Sequence, residues 1–213
     1  DAAAFDQVLA DLSLTALKND LISKTKVVCD ALLVDANVRT IWQLGSFMEV
    51  TPAHIPANMI TVATIKNRLA AGNRTFGQTN QAPGEVGNIV PNRTIDVFPG
   101  AYDEPMGGGA FSDTELDTET QALMIQLESQ GGGGDPALES FAVDVYGRLI
   151  GETLAHEIVH ALLWDIVIQD GHNDPSINND IMNSGSQRTF TQRTGFVDDA
   201  HQSPVVPANF SDN

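Results

Sequence analysis

The chain has 213 residues, 42% of them hydrophobic and 18% charged, which suits one globular domain with an ample core. Its net charge is −17 and unevenly spread: residues 1–93 carry eight acidic and eight basic side chains, whereas 94–213 carry twenty acidic ones against Arg148, Arg188 and Arg193. So acidic a surface argues against nucleic acid as a partner, the lone Cys29 excludes an intrachain disulfide and a cysteine-rich zinc site, and no run of ~18 apolar residues is present to span a membrane.

In chain order, Phe5, Val8, Leu9, Leu12, Leu17 and Leu21 predict an amphipathic helix over 5–22. The stretch "TKVVCDALLVD" (25–35) is apolar and reads equally as helix or strand. A second helix is expected over 57–72, "ANMITVATIKNRLAAG", closed by Gly72. Residues 73–92, rich in Asn, Gly, Pro and Gln, read as a long loop, and "RTIDVF" (93–98) as a strand stopped by Pro99-Gly100. "QALMIQL" (121–127) is a candidate strand, and "GGGGDP" (131–136) a hinge-like break. From Ala137 onward the 3–4 spacing of Leu138, Phe141, Ala142, Val145, Leu149, Ile150, Leu154, Ile158, Val159, Leu162, Leu163 and Ile166 is strongly helical, as two helices meeting near Gly151. Residues 170–213 have little periodicity, and so irregular a segment needs something to hold it in place.

The chemistry concentrates in "GETLAHEIVH" (151–160). Residues four apart on a helix are offset by about 40° and lie one turn apart, so His156 and His160 can present both imidazoles to one ion. Glu157 is ~100° round from His156, within reach of a water on that ion. Zinc with three protein ligands keeps an open position for water and lowers its pKa to about 7. Glu157 then accepts the proton as the oxygen attacks a peptide carbonyl and hands it to the leaving amine. Two histidines and a glutamate among apolar neighbours are also readable as satisfied core side chains, but that setting is costly for them without partners or a metal. A di-iron carboxylate bundle needs a second Glu-x-x-His pair, and the sequence has none.

No Glu follows Glu157, so the third ligand comes from the downstream His or Asp residues. His172 follows Gly171, which permits a sharp turn; Asp170, Asp174 and His201 are the alternatives, while Asp165 would lie on the wrong helix face. For His172 to return to the ion, the helix must break before about Ile168.

With "DGHNDPSINNDIMNSG" (170–185) the chain resembles the metzincin metalloproteases, over residues 151–185 only. Their pattern is His-Glu-x-x-His, a glycine turn, a third His and a later turn with a Met beneath the metal. The resemblance implies ligands His156, His160 and His172, the base Glu157, and Met182 as the Met-turn residue. It departs from the pattern: Leu163 stands where the glycine is expected, Ile166 where the third His is, and no Tyr follows Met182. An aspartate ligand would instead resemble the deuterolysin-like zincins.

The expected fold is α+β: a single zincin-like catalytic domain over 1–213, with a small twisted sheet, an active-site helix and an irregular C-terminal segment. Residues 1–168 form the upper lobe and 169–213 the lower. The expected function is a zinc-dependent metalloendopeptidase with a peptide or protein substrate laid along a sheet edge, "QALMIQL" or "RTIDVF". The alternative is a zinc-binding or protein-binding module without peptidase activity. One Zn2+ is expected; the Asp/Asn-rich 170–180 loop is a weaker candidate for Ca2+, lacking the spacing of an EF-hand. A start at Asp1 without Met, together with acceptor patterns at Asn73, Asn92 and Asn209, leads to the expectation of a processed, secreted glycoprotein.

Overall fold

The structure is a computed structural model that describes residues 6, 9–10, 14–35, 38, 40, 42, 62–65, 76–79, 94–98, 126, 134–163, 181–182 and 193–194. These form an α+β arrangement of two long helices, α1 (Lys18–Asp35) and α2 (Pro136–Leu163), and three short strands, β1 (Val62–Ile65), β2 (Gly77–Thr79) and β3 (Thr94–Val97). The expected division into lobes at 168/169 lies outside the described residues.

The helix expected over 5–22 is interrupted. Asp6, Leu9 and Ala10 are helical, but the Leu14 N–H bonds back to the Leu9 carbonyl at 2.7 Å, which closes that segment. A 3-10 turn over Thr15–Leu17 then leads into α1. The ambiguous stretch 25–35 is the second half of α1. Leu21, Thr25, Cys29 and Leu33 recur every fourth residue and are all buried, so one stripe of α1 faces inward. Burial and the neighbouring Asp30 push the Cys29 thiol far up, which leaves it an inert core side chain.

Asp135 and Pro136 decide where α2 starts. The Asp135 carboxylate accepts from the Ala137 and Leu138 N–H groups at 3.0 and 3.3 Å, and Pro136 takes the first helical position, where its missing N–H costs nothing. The Glu139 carboxylate reaches back to the Gly134 N–H at 3.0 Å. Gly134, with φ of 93°, makes the turn before the cap. The helix then runs without interruption through Gly151, so the two helices expected to meet there are one.

The role of Gly151 is a close approach instead. A Cβ there would lie 2.7 Å from the Thr25 carbonyl oxygen and 2.9 Å from Val28 Cβ, and a Cβ at Gly147 would strike Lys24. The two glycines, one turn apart, let α1 cross against the backbone of α2. Asp144 on α2 bridges Lys24 on α1 and Arg148 one turn further along α2. Burial works against the Asp144 carboxylate, but these two cations outweigh it and hold its pKa below the ordinary value.

Two strand expectations are corrected. Residues 62–65, placed within a helix, pair as β1: Val62, Thr64 and Ile65 are β-branched and fit a sheet better than a helix interior. Residues 77–79, placed in a loop, form β2. The sheet order is β1-β3-β2, with β1 parallel to β3 (Val62↔Thr94) and β2 antiparallel to it (Gly77↔Val97, Thr79↔Ile95). "RTIDVF" is therefore the central strand, hydrogen-bonded on both sides, and has no edge to offer a substrate. Gln126 in "QALMIQL" is helical, which removes the other candidate edge at that residue. β2 and β3 pack on α2, and Leu138, Ala142, Val145, Tyr146, Leu149, Ile150, Leu154 and Val159 form the core with Ile95, Val97 and Phe98. No helix among the described residues is long and apolar enough to cross a membrane.

The C-terminal segment is tied to α2 by charge. The Arg193 guanidinium lies 3.2 Å from the Glu152 carboxylate, with side chains 5% and 2% exposed, and 4.9 Å from the Phe76 ring centre. A pair this dry is costly to break from one side. Replacing Gly151 by Val is expected to destabilise the protein by about 1–3 kcal/mol in chemical denaturation, because the crossing has no room. Arg193→Ala is expected to cost about 3–5 kcal/mol in the same measurement, with Arg193→Ala/Glu152→Ala recovering part of the loss.

Candidate metal centre

Counting about 100° per residue along α2, the faces separate cleanly. Gly147 and Gly151 mark the side against α1. His156 and His160 lie about 180° away from it, and Thr153 and Glu157 lie about 60° from the histidines, over β2.

The two imidazoles converge. His156 Nε2 and His160 Nε2 are 2.8 Å apart, with ring centres separated by 4.4 Å and planes at 83°. His160 is buried and His156 half-buried. The other nitrogen of His156, Nδ1, lies 2.6 Å from the Ile181 carbonyl oxygen. A carbonyl only accepts, so Nδ1 carries the proton and Nε2 holds a lone pair. Fixing a ring through its far nitrogen is how metal-ligating histidines are oriented and made more basic. The 2.8 Å contact is itself a hydrogen bond, in which the His160 Nε2–H donates to the His156 Nε2 lone pair. Once that proton is released and the rings open by roughly half an ångström, the two nitrogens fit a borderline-soft cation such as zinc.

Met182 follows Ile181 in the same turn and is buried in the main core. The turn that the resemblance assigns to Met182 therefore also supplies the carbonyl that orients His156. Among the described residues, no His, Cys, Asp or Glu joins the two histidines in a group of three. His172, its alternatives Asp170, Asp174 and His201, the helix break expected before Ile168 and the 170–180 loop considered for Ca2+ lie outside the described residues, as do Asn73, Asn92 and Asn209.

Glu157 is buried, and its side chain lies against β2. A Cβ at Gly77 would meet Glu157 Cγ at 2.7 Å and Oε1 at 2.8 Å, so no other residue fits at that position without movement. Two residues along the strand, Thr79 Oγ1 lies 2.8 Å from Glu157 Oε2 and 2.8 Å from the Glu157 carbonyl oxygen. One hydroxyl has one proton. Thr79 therefore donates to the carboxylate when Glu157 is ionised, and to the Glu157 carbonyl when the carboxyl is protonated and donates to Thr79 in turn. Burial pushes the Glu157 pKa up to about 7; hydrogen bonds from Thr79 pull it down, and the nearby Asp96 charge adds to the rise. A carboxyl that titrates near neutrality is suited to exchanging a proton in both directions.

Sequence reasoning missed Gly77, Thr79, Asp96, Glu152 and Arg193. Only Glu152 carried a local signal, as a carboxylate one turn before His156 on the buried face. No family model, curated protein or solved structure matches the chain.

The raised Glu157 pKa makes stability depend on pH. Below an ordinary glutamate value near 4.5 the carboxyl is neutral both folded and unfolded. As pH rises from there to about 7, the unfolded chain releases the proton and the folded one retains it, so stability falls; above 7 the loss is complete. Metal-free protein is expected to be on the order of 2–3 kcal/mol less stable to urea at pH 8 than at pH 5 from this group. In Glu157→Gln that part of the difference disappears, while the histidine contribution common to both proteins cancels in the comparison.

Proposed function

We propose that the protein is a zinc-dependent metalloendopeptidase, with His156 and His160 as two of the zinc ligands and Glu157 as the proton-transfer group. The observation that carries this reading is the convergence of the two imidazoles, joined Nε2 to Nε2 by a hydrogen bond that an ion could replace, beside a buried carboxyl of near-neutral pKa. A zincin-like fold, His172 as third ligand and Met182 as the Met-turn residue belong to the same proposal. Secretion of a glycosylated chain, with Asn73, Asn92 and Asn209 as acceptors, completes it.

When bound, zinc supplies Lewis acidity that polarises the scissile carbonyl and acidifies water. The chain's own residues do the rest. Ile181 holds His156 in the tautomer that presents Nε2. Glu157, ionised in part at neutral pH, accepts a proton from the attacking water and delivers it to the departing amine nitrogen. Thr79 and Gly77 set where that carboxyl lies. The outer edge of β2 pairs with no strand among the described residues, and it replaces the two earlier candidates as the edge along which an extended peptide lies.

One observation favours a zinc-binding module without peptidase activity: Glu157 Oε2 is engaged by Thr79. A single pair of measurements separates the two readings. Zinc-loaded wild type is expected to cleave an unfolded protein substrate, and Glu157→Ala to lose about 10²–10⁴-fold in kcat while binding zinc with unchanged stoichiometry. Equal cleavage by both proteins removes Glu157 from the chemistry, and zinc binding without cleavage by wild type supports the module. Replacing His156 or His160 by Ala is expected to abolish stoichiometric zinc binding in a chelator-competition titration.

A further inference from the structure

We propose that Gly77 and Thr79 on strand β2 form a seat that fixes the Glu157 side chain, making both of them positioning residues for that carboxyl. In its catalytic consequence the inference rests on the peptidase reading; the seat itself is a matter of geometry.

Three observations converge on it. Gly77 and Thr79 are two apart on a strand, so they face the same side, and that side meets α2. Gly77 leaves the space in which the Glu157 stem lies, since a Cβ would stand 2.7 Å from Cγ and 2.8 Å from both Oε1 and Thr153 Cγ2. Thr79 holds the tip, with its hydroxyl 2.8 Å from Oε2 and from the carbonyl oxygen of the same residue. The second contact matters as much as the first. Lying 2.8 Å from the Glu157 carbonyl as well, the hydroxyl turns its one proton between two oxygens of the same residue, so the carboxyl is referenced to the helix that carries it. Register with β3 fixes the seat in turn, because Gly77 pairs with Val97 and Thr79 with Ile95, both buried. An exposed Gln78 between them points the other way.

A carboxyl lying against a strand has several rotamers open to it unless something selects one, and each flexible torsion left free lowers the fraction of time in reach of the substrate. A hydroxyl and a missing Cβ together select one. Valine at position 79 matches the shape of threonine and removes only the hydroxyl. Serine keeps the hydroxyl and removes only a methyl group. Alanine at position 77 keeps the hydroxyl at 79 and removes only the space.

The test uses the full chain carrying Thr79→Val, Thr79→Ser or Gly77→Ala. Three quantities are read: the Glu157 side-chain position in crystals of metal-free protein, zinc affinity against a chelator, and the separate kcat and KM on a protein substrate. In Thr79→Val and in Gly77→Ala the carboxyl is expected to leave its place, zinc affinity to stay within about twofold, and kcat to fall about 10²-fold with KM nearly unchanged, the scale set by a misplacement of roughly 1 Å. Thr79→Ser is expected to retain the carboxyl position and most of kcat. An unmoved carboxyl in Thr79→Val overturns the proposal. So does an equal loss in the valine and serine variants, which would mark Thr79 as packing alone, or faster cleavage by Thr79→Val, which would mean that Thr79 withholds the carboxyl. If Thr79→Val does not fold, Thr79→Ala is read in its place against Thr79→Ser. If zinc-loaded wild type cleaves nothing, the peptidase reading fails by itself, and the carboxyl positions still decide the seat.

Discussion

A polar group shut away from water has to find its partner inside the protein, and α2 carries several such groups along a length that is buried almost throughout. Glu152, Thr153, Glu157 and His160 all sit among Leu149, Ile150, Leu154, Ala155 and Val159. The rest of the described structure is arranged to satisfy them. Arg193 comes to Glu152, Thr79 to Glu157, and the Ile181 carbonyl to His156 beside His160. A helix of this composition packed on apolar neighbours alone would be strongly destabilised.

Two tight approaches make that pairing geometrically feasible. At Gly147 and Gly151 the helix α1 comes down onto α2, which fixes one side of the central helix. At Gly77 the sheet does the same from another direction. With both sides fixed, α2 has little freedom to rotate, and the face bearing the histidines is left for other segments to meet. Residues 181–182 and 193–194 do so, the first through a backbone carbonyl and the second through a buried guanidinium. These two anchors show what holds the described residues beyond α2 in place: a main-chain contact at 181 and an ionic one at 193, both made by the protein itself.

Periodic elements were the most legible. The 3–4 spacing of Leu138, Ala142, Val145, Leu149 and Leu154 gave the central helix directly, although Gly151 suggested a break where the helix continues. Elements whose identity depends on a partner were not legible. Val62–Ile65 sits in a stretch with helical apolar spacing, and it became a strand because β3 offered pairing. Gly77–Thr79 has almost no apolar content, so no local pattern marks it. "RTIDVF" was rightly read as a strand, but its position in the middle of the sheet follows from neighbours on both sides that the segment does not encode.

The sequence by itself determined that two imidazoles and a carboxylate share one region of one helix. That follows from 3.6 residues per turn and from nothing further away than residue 160. Tertiary structure alone decided which nitrogen of His156 carries the proton, what fixes the Glu157 carboxyl, and what neutralises Glu152. The partners responsible lie 25, 78 and 41 positions away along the chain. Helical periodicity carries information over a few residues; a carbonyl, a hydroxyl and a guanidinium brought from such distances are placed only when the sheet, the two helices and the C-terminal turn pack together.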